Sequence, residues 1–417
     1  MIKGIIPQIN SETGKLNDVL IHPPGKEVEN MTPIDAERAL YSDILNLSAA
    51  RKEYEQFESV LKNVSNVHYA KDIFTSYLNN PLQKEEIIQS ICTSEKCQNL
   101  TDDLLSLDSN KLASCLIEGI ELKKTNLTNF LSEERYAIKP LHNFFFIRDT
   151  TTVINNKVFI SSMAKSIRLR ESIILSAIFK ELKNYQPFEI IESYNNESRL
   201  ITYEGGDIII ARDDITIIGS SNRTSTHGID HIIDQISKVK NHHHIIVQQL
   251  PGTPESFIHL DMVFTLLDID TCMVYDPVIT NPNQLQTILI TITNHKVGSI
   301  TKQDNLLKTL AKLGMDLKAI SCGGNKDIWI QEREQWHSGT NFFALSPGKV
   351  IGYKRNIHTL EELNKNGFEI IDAYDLIDRK VSISDHSKMV ITIEGSELAR
   401  GGGGARCMTL PINRSEL

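Results

Sequence analysis

A β-hairpin is predicted by the stretch Asp207-Ile208-Ile209-Ile210-Ala211-Arg212-Asp213-Asp214-Ile215-Thr216-Ile217-Ile218-Gly219-Ser220-Ser221, in which two apolar runs flank a polar turn. Similar stretches follow Asp149, Asp261 and Asp327, so one unit recurs at intervals of roughly sixty residues, which is typical of repeat or propeller-like architectures. In a radial arrangement, the entrances of these hairpins would point at one central axis. The four aspartates are therefore candidates for one shared site.

Between residues 80 and 134 glycine and proline nearly vanish, and apolar side chains recur at helical spacing. We interpret residues 76–138 as an inserted α-helical domain, and residues 1–75 and 139–417 as a catalytic α/β propeller domain. Two further helices are predicted near the N-terminus. The first contains Ala36, Leu40 and Ile44, and the second is a charged amphipathic helix at about 49–61.

Composition limits the possible partners of the 417-residue chain. Its 40% apolar and 23% charged content is ordinary for a globular protein, and its net charge of −9 argues against nucleic-acid or anionic-membrane surfaces. The N-terminus does not resemble a signal peptide, and no apolar run approaches the ~18 residues of a membrane helix. We therefore expect a cytoplasmic protein with a small-molecule substrate and no nucleic-acid or membrane partner. The sequence leaves open whether it forms a homo-oligomer.

Six cysteines are present without a CxxC pair, so free thiols are expected and no zinc signature is found. The run His242-His243-His244 precedes an apolar strand. Its side chains would alternate between the two faces of that strand, so the three cannot converge on one ion. We predict neither a metal nor a cofactor.

A nucleophilic cysteine is indicated by residues 400–411, where Cys407 follows a run of four glycines that is flanked by the cations Arg400 and Arg406. Flanking cations favour a thiolate, so we expect an exposed thiol with thiolate character. The alternative is a disordered chain end with a chance cysteine. Against it, apolar residues such as Met408 and Leu410 follow the cysteine and indicate a packed segment.

Partners for such a thiol occur at two hairpin entrances. His259 precedes Asp261 by two residues, and Glu204 lies just before the glycine pair that leads to Asp207. A Cys/His pair is the minimum for nucleophilic catalysis, and Glu204 is the best candidate to orient the imidazole. Several carboxylates around one thiol suit a planar cation with many N–H donors, such as a guanidinium.

These residues carry a family resemblance. The sequence resembles the arginine deiminases of the guanidine-modifying (pentein) superfamily over essentially its whole length. The matching motifs are Asn143-Phe144-Phe145-Phe146-Ile147-Arg148-Asp149, Glu204-Gly205-Gly206-Asp207, Arg223-Thr224, His259-Leu260-Asp261, Tyr353-Lys354-Arg355-Asn356 and Arg406-Cys407-Met408. The resemblance implies a five-bladed α/β propeller with pseudo-fivefold symmetry and an inserted helical bundle.

The resemblance also implies hydrolysis of L-arginine to L-citrulline and ammonia through a covalent thiouronium intermediate, without metal or cofactor. Carried over by position, Cys407 would attack the guanidinium carbon and His259 would act as general acid and base. Glu204 would pair with His259 and the substrate, while Asp149 and Asp261 would hold the guanidinium nitrogens.

The same resemblance assigns the amino-acid end of the substrate. Asn143, Arg168 and Arg223 would hold that end, the two arginines facing its α-carboxylate. Many family members carry a further arginine near this carboxylate, at a position that is Gly402 here. The substrate could therefore differ from free arginine.

Simpler interpretations remain for single residues. Arg168 could be a solvated cation at a helix start, Arg223 a surface turn residue, Asp207 a ligand of backbone amides and Asp327 a turn aspartate.

Other functions also stay open. An agmatine deiminase, a modified-arginine deiminase or an amidinotransferase of the same superfamily is the runner-up, followed by a non-catalytic arginine-binding sensor and, more distantly, a cysteine peptidase.

Overall fold

β-Strands and α-helices alternate along the chain in this computed structural model, which describes residues 4–33, 41, 43–194 and 200–417. The strands are β1 (Leu16–Ile21), β2 (Asn66–Tyr69), β3 (Ile120–Glu121), β4 (Tyr136–Ile138), β5 (Thr151–Ile154), β6 (Lys157–Ile160), β7 (Glu189–Glu192), β8 (Ile208–Arg212), β9 (Ile215–Ser220), β10 (His242–Gln249), β11 (Phe264–Leu266), β12 (Thr271–Val274), β13 (Thr287–Thr293), β14 (Lys296–Gln303), β15 (Lys318–Ser321), β16 (Phe343–Ser346), β17 (Lys349–Tyr353), β18 (Glu369–Asp372), β19 (Met389–Ile393) and β20 (Leu410–Arg414).

The amphipathic helix predicted near residues 49–61 is confirmed, since Leu47–Val64 is helical. Ala36 and Leu40, which belong to the other predicted N-terminal helix, lie outside the described residues. The helices are α1 (Lys26–Glu29), α2 (Leu47–Val64), α3 (Ala70–Tyr77), α4 (Pro81–Glu95), α5 (Thr101–Leu105), α6 (Ser109–Glu118), α7 (Leu127–Leu131), α8 (Leu169–Lys183), α9 (Thr226–Ser237), α10 (Asp276–Ile279), α11 (Leu306–Lys312), α12 (Ile328–Trp336), α13 (Ile357–Lys365) and α14 (Ala373–Ile377). None of the helices in the described ranges is long and apolar enough to cross a membrane.

One sheet pattern recurs four times. In each copy an antiparallel hairpin is followed by a third strand that runs parallel to the second arm of the hairpin. The copies are β5-β6-β7, β8-β9-β10, β11-β12-β15 and β16-β17-β19. A further sheet, β2-β1-β20, joins the two ends of the chain, with β1 parallel to β2 and antiparallel to β20. The α/β class predicted from the sequence is confirmed.

Three of the predicted hairpin entrances are found where the sequence placed them, since Asp149, Asp207 and Asp261 each lie just before the first strand of a sheet. The prediction at Asp327 is wrong, because residues 328–336 form helix α12 and not a strand. The Asp327 carboxylate accepts hydrogen bonds from the backbone N–H of Trp329 (2.8 Å) and Ile330 (3.4 Å) and so caps the helix. The fourth hairpin instead begins later, at β16.

The helices after residue 80 share a core with one of the sheets. Side chains of α4 and α6, such as Ile88 and Leu112, belong to the same buried cluster as Ile174 and Phe179 of α8. The predicted boundary between residues 75 and 76 falls inside α3.

The C-terminal segment is packed, as the apolar residues after Cys407 indicated. Met408, Leu410 and Ile412 are fully buried, and β20 pairs with β1. The alternative of a disordered tail is therefore wrong.

Candidate active site

The loop that carries Cys407 packs closely on Phe146 through its glycines and is hydrogen-bonded to Asn341. Added Cβ atoms on Gly401 and Gly403 would lie 2.9 and 2.6 Å from the Phe146 ring, so only glycine allows this close approach. The Asn341 side-chain oxygen accepts hydrogen bonds from the backbone N–H groups of Arg406 (3.0 Å) and Cys407 (3.2 Å). The nucleophile candidate is thereby fixed in one position.

The electrostatic setting of Cys407 differs from the expectation of an exposed thiolate. The residue is only 5% exposed, and its Sγ lies 3.8 Å from Oδ2 of Asp261. Burial raises the pKa of the Cys407 thiol well above its usual range, and the nearby carboxylates Asp261 and Asp149 raise it further. Arg406 lowers this pKa but does not outweigh burial and the two carboxylates, because its guanidinium is bound to Asp261 and Glu12 at 2.9 Å each. The flanking cations therefore do not produce a thiolate in this state.

His259 and Glu204 form the predicted acid–base pair. Their Nε2 and Oε2 atoms are 2.9 Å apart, and both side chains are buried. Burial lowers the pKa of His259, but Asp149, Glu204 and Asp207 together raise it to about 9. Burial raises the pKa of Glu204, whereas Arg223, His259 and Arg168 bring it down to about 2. The pair is therefore an imidazolium and a carboxylate at neutral pH.

Asp149 lies between His259 and Arg168. Its Oδ2 is 2.7 Å from Nη1 of Arg168, and its Oδ1 is 3.6 Å from Nδ1 of His259. Arg168 also binds Glu171, at 2.8 Å between Nη2 and Oε2. Arg168 is buried, so the alternative of a solvated helix-start cation is wrong.

Asp149 and Asp261 share one property. Each carboxylate places its Oδ2 against a protein arginine, whereas its buried Oδ1 has no hydrogen-bond partner among the described residues. A buried acceptor without a partner is costly, so both oxygens are open sites for an N–H donor.

A cavity of about 200 Å³ opens above Cys407. Its walls include most of the predicted site residues, namely Asn143, Asp149, Arg168, Arg223, His259, Gly402 and Cys407. Asp261 and Glu204 are not wall residues, and they contact Cys407 and His259 respectively.

Two wall residues have distinctive geometry. Arg223 is buried and not a surface turn residue, and its Nη1 lies 3.5 Å from Oε1 of Glu204 without a hydrogen-bond partner in the described residues. Gly402 has a backbone φ of +84°, a conformation that other residues rarely adopt.

Asp207 holds the backbone, as one interpretation of the sequence suggested. It accepts hydrogen bonds from the Leu260 N–H (2.9 Å) and the Ser221 hydroxyl (2.6 Å). Burial raises its pKa to about 6, although His259 and Ser221 favour the charged form. The carboxylate thus fixes the segment between His259 and Asp261.

Two clusters bear on the question of a metal. Ligand atoms of Asp149, Glu204 and His259 lie within 4.8 Å of one another, but Arg168 and Arg223 already neutralise the two carboxylates. In β10, the His243 ring is buried against the Thr216 hydroxyl, whereas the Nε2 atoms of His242 and His244 are 3.1 Å apart. The three adjacent histidines do not converge, as predicted from strand geometry.

Sequence reasoning missed three residues that support the site, and it gave a fourth, Arg406, a different role. Asn341 and Arg406 position Cys407 and Asp261, whereas Glu12 and Glu171 neutralise Arg406 and Arg168. Glu12 and Asn341 have no local signal, because both are distant from Arg406 along the chain. Arg406 itself was expected to act on the thiol of Cys407, and its pairing with Asp261 was not predicted. Glu171 alone had a local signal, since it follows Arg168 by three residues at a helix start.

Several solved structures have a similar fold. SxtG, an amidinotransferase from Microseira wollei, matches with a TM-score of 0.56 and 13% identity, over 99% of this chain and 98% of that one. The product-bound N-terminal domain of ArgZ, an arginine dihydrolase from cyanobacteria, matches with a TM-score of 0.53 and 13% identity, over 96% and 98% of the two chains. A dimethylarginine dimethylaminohydrolase adduct with S-methyl-L-thiocitrulline has a TM-score of 0.52 and 12% identity, over 95% and 99%. The chain therefore shares its fold with these three proteins.

Sequence comparison identifies the family to which the chain belongs. The family model named "Arginine deiminase" matches residues 37–414. Curated relatives with the same name include those of Listeria innocua, 30% identical over 98% of both chains, and Mycoplasma capricolum, 31% identical over 98% of this chain and 97% of the other. The chain belongs to the arginine deiminase family.

Proposed function

We propose that this protein hydrolyses L-arginine to L-citrulline and ammonia through a covalent intermediate on Cys407. The observation that carries the proposal is the pair of open carboxylate oxygens, Oδ1 of Asp149 and Oδ1 of Asp261, next to a buried thiol. A guanidinium supplies the N–H donors that these oxygens lack, on a planar cation that carboxylates bind well. Family membership and the titles of the structural neighbours, which act on arginine and its analogues, support the same reaction.

The reaction begins when the Cys407 thiol releases its proton to solvent and the resulting thiolate attacks the guanidinium carbon. A bound guanidinium cation favours this loss, because it offsets the two carboxylates that raise the pKa of the thiol. His259, protonated at neutral pH, gives its proton to the departing ammonia and leaves a cationic thiouronium on sulfur. The neutral imidazole then takes a proton from water. The resulting hydroxide attacks the same carbon, the C–S bond breaks, and the departing thiolate takes up the proton of the new hydroxyl group as citrulline is released.

The other end of the substrate lies against cations. Arg223 and Arg168 face the α-carboxylate in this proposal. Nη1 of Arg223, 3.5 Å from Glu204 and without a hydrogen bond in the described residues, can donate one to that carboxylate. Asn143 contributes a polar side chain to the same wall, and Gly402 leaves room where many relatives have an arginine. Glu204 holds both His259 and Arg223, so it links the catalytic and binding ends of the cavity.

The proposed architecture has three further parts. We infer that the four repeated sheets and β2-β1-β20 form the five blades of a pseudo-symmetric propeller. This rests on their shared strand pattern and on the pentein neighbours. We also infer that residues 76–138 form an inserted helical domain. From the sequence, we expect the protein to be cytoplasmic.

The test is to incubate the purified protein with L-arginine or agmatine and to measure ureido product and ammonia. We expect turnover of L-arginine, loss of activity in Cys407→Ala, and full activity in Cys115→Ala, a matched control outside the cavity. Acid quenching during turnover should give a Cys407 adduct by mass spectrometry. Full activity of Cys407→Ala would refute the covalent mechanism.

Other outcomes select the alternatives. Turnover of agmatine but not arginine would assign an agmatine deiminase, and product formation only in the presence of an amine acceptor would assign an amidinotransferase. Arginine binding without any product would assign a sensor.

A further inference from the structure

Two of the three adjacent histidines in β10 share one face of the sheet. Side chains alternate along a strand, so His243 points to the opposite face, where its ring is 2.9 Å from the Thr216 hydroxyl. The Nε2 atoms of His242 and His244 are 3.1 Å apart. Neither residue lines the active-site cavity, and the proposed function does not use them. We call these two residues the histidine pair.

The spacing of the histidine pair fits a single transition-metal ion. Imidazole nitrogens bind such ions at ~2.0–2.1 Å, so two nitrogens 3.1 Å apart subtend an angle of about 100° at the ion. This angle lies between those of square-planar and tetrahedral coordination, the geometries that Cu²⁺, Ni²⁺ and Zn²⁺ adopt with imidazole ligands. The two rings are perpendicular, with an interplanar angle of 89° and centroids 4.6 Å apart, so they do not block each other's approach to the ion.

Thr291 orients the ring of His244. Its hydroxyl oxygen lies 3.3 Å from Nδ1 of His244, and the two residues face each other across β10 and β13. The tautomer with its proton on Nδ1 donates that proton to the hydroxyl and leaves the Nε2 lone pair available. Metal-binding histidines are commonly held through the second ring nitrogen in this way.

The backbone of the histidine pair is fixed by the sheet. The His244 N–H donates a hydrogen bond of 2.8 Å to the Asp214 carbonyl, and His244 pairs with Ile215 of β9 as well as with β13. His242 pairs with Thr293 of β13. Binding of an ion therefore requires only side-chain rotations, which keeps its entropic cost low.

The charges around the histidine pair do not oppose a cation. Arg212 and Lys240 lie near this end of β10, and each is bound to an acid. Nη2 of Arg212 is 3.0 Å from Oδ2 of Asp214, and Nζ of Lys240 is 2.9 Å from Oδ1 of Asp213. Among the described residues, no third histidine, cysteine or acidic side chain places a ligand atom within 4.8 Å of both Nε2 atoms. Water molecules would therefore complete the coordination.

From the spacing, the orientation by Thr291 and the fixed backbone, we propose that the histidine pair is a surface chelate for a divalent transition-metal ion that prefers imidazole, namely Ni²⁺, Cu²⁺ or Zn²⁺. Mg²⁺ and Ca²⁺ prefer oxygen ligands and are not expected there. The histidine pair lies outside the walls of the Cys407 cavity, so this inference does not depend on the proposed deiminase reaction.

The test is a calorimetric titration of Ni²⁺ into the purified full-length protein, made without a polyhistidine tag. We expect binding to the parent protein and an affinity at least about 10²-fold lower in His242→Ala and in His244→Ala, because a chelate binds that much more tightly than one of its ligands alone. Thr291→Val should weaken binding about tenfold, since it removes the hydroxyl that orients His244.

Two control variants locate the site. His227→Ala removes a single exposed histidine of α9, and Cys407→Ala removes the thiol of the candidate active site. Both should keep the Ni²⁺ affinity of the parent protein within about twofold, because neither residue belongs to the histidine pair.

The outcomes are distinct from those of the proposed function. Absence of Ni²⁺ binding to the parent protein, or an unchanged affinity in His242→Ala or His244→Ala, overturns the inference, as does an equal loss in His227→Ala or Cys407→Ala. His242 is exposed, so its substitution tests the chelate even if urea denaturation shows that His244→Ala is unfolded. None of these readouts is turnover of L-arginine, so failure of this inference and failure of the proposed function are distinguishable.

Discussion

Gly206→Ala is predicted to displace the catalytic imidazole without removing any functional group. A Cβ atom at this position would lie 2.6 Å from Cγ and Nδ1 of His259, whereas ordinary contacts begin at 3.4 Å. The ring must therefore move by about 0.8 Å, or the backbone must shift by a similar amount. The hydrogen bond of 2.9 Å between His259 and Glu204 cannot survive such a shift at full strength.

The expected cost follows from this displacement. A misplacement of about 1 Å in a catalytic group can lower the rate about 10²-fold, and overpacking destabilises a core by ~1–3 kcal/mol. We expect kcat for L-arginine to fall about 10- to 100-fold in an assay of ureido product, with urea denaturation reporting the loss of stability. Gly298→Ala on β14 is the control, because its Cβ would be 3.2 Å from the exposed, movable side chain of Thr293. Activity of Gly206→Ala within about twofold of the parent protein would refute the reasoning.

Three further substitutions test the remaining groups. In Glu204→Gln the pKa of His259 should fall from about 9, because the imidazolium loses a carboxylate partner. His259 donates its proton only below its pKa, so the alkaline limb of the kcat/KM profile should move to lower pH. An alkaline limb at the same pH as in the parent protein would contradict this prediction. Asn341→Ala leaves two buried N–H groups without their acceptor and should lower the free energy of unfolding by ~2–4 kcal/mol in urea denaturation; an unchanged midpoint would show that water replaces the side chain. Asp149→Asn keeps the shape of the side chain but removes its charge, and Arg168 stays paired with Glu171. We expect kcat/KM for L-arginine to fall about 10²-fold or more. Near-parental activity would exclude Asp149 as a guanidinium ligand.

Local patterns predicted much of the fold. Hairpins after Asp149, Asp207 and Asp261 were recognisable because their strands are short apolar runs bounded by polar turns. The same pattern failed at Asp327, where an aspartate before an apolar residue caps a helix instead. An aspartate can precede either a β-strand or an α-helix, so only the residues that follow it distinguish the two.

The electrostatic state of Cys407 could not be predicted from its neighbours in the chain. Arg406 is adjacent in sequence, yet its guanidinium binds Glu12, which is 394 positions away, and Asp261. The direction of a side chain and the depth of its burial depend on such long-range contacts. For the same reason, the sequence named the acids of the site but not which of their oxygens are open.

The open oxygens connect substrate recognition with the reactivity of the thiol. Burial keeps Cys407 protonated, and the negative charges of Asp261 and Asp149 add to this effect. A guanidinium bound to those two carboxylates compensates their charge at the position where the sulfur must become negative. On the proposed function, the substrate therefore supplies the cation that activates its own nucleophile. A buried neutral thiol that becomes reactive only with a guanidinium bound is also shielded from alkylation and oxidation when the cavity is empty.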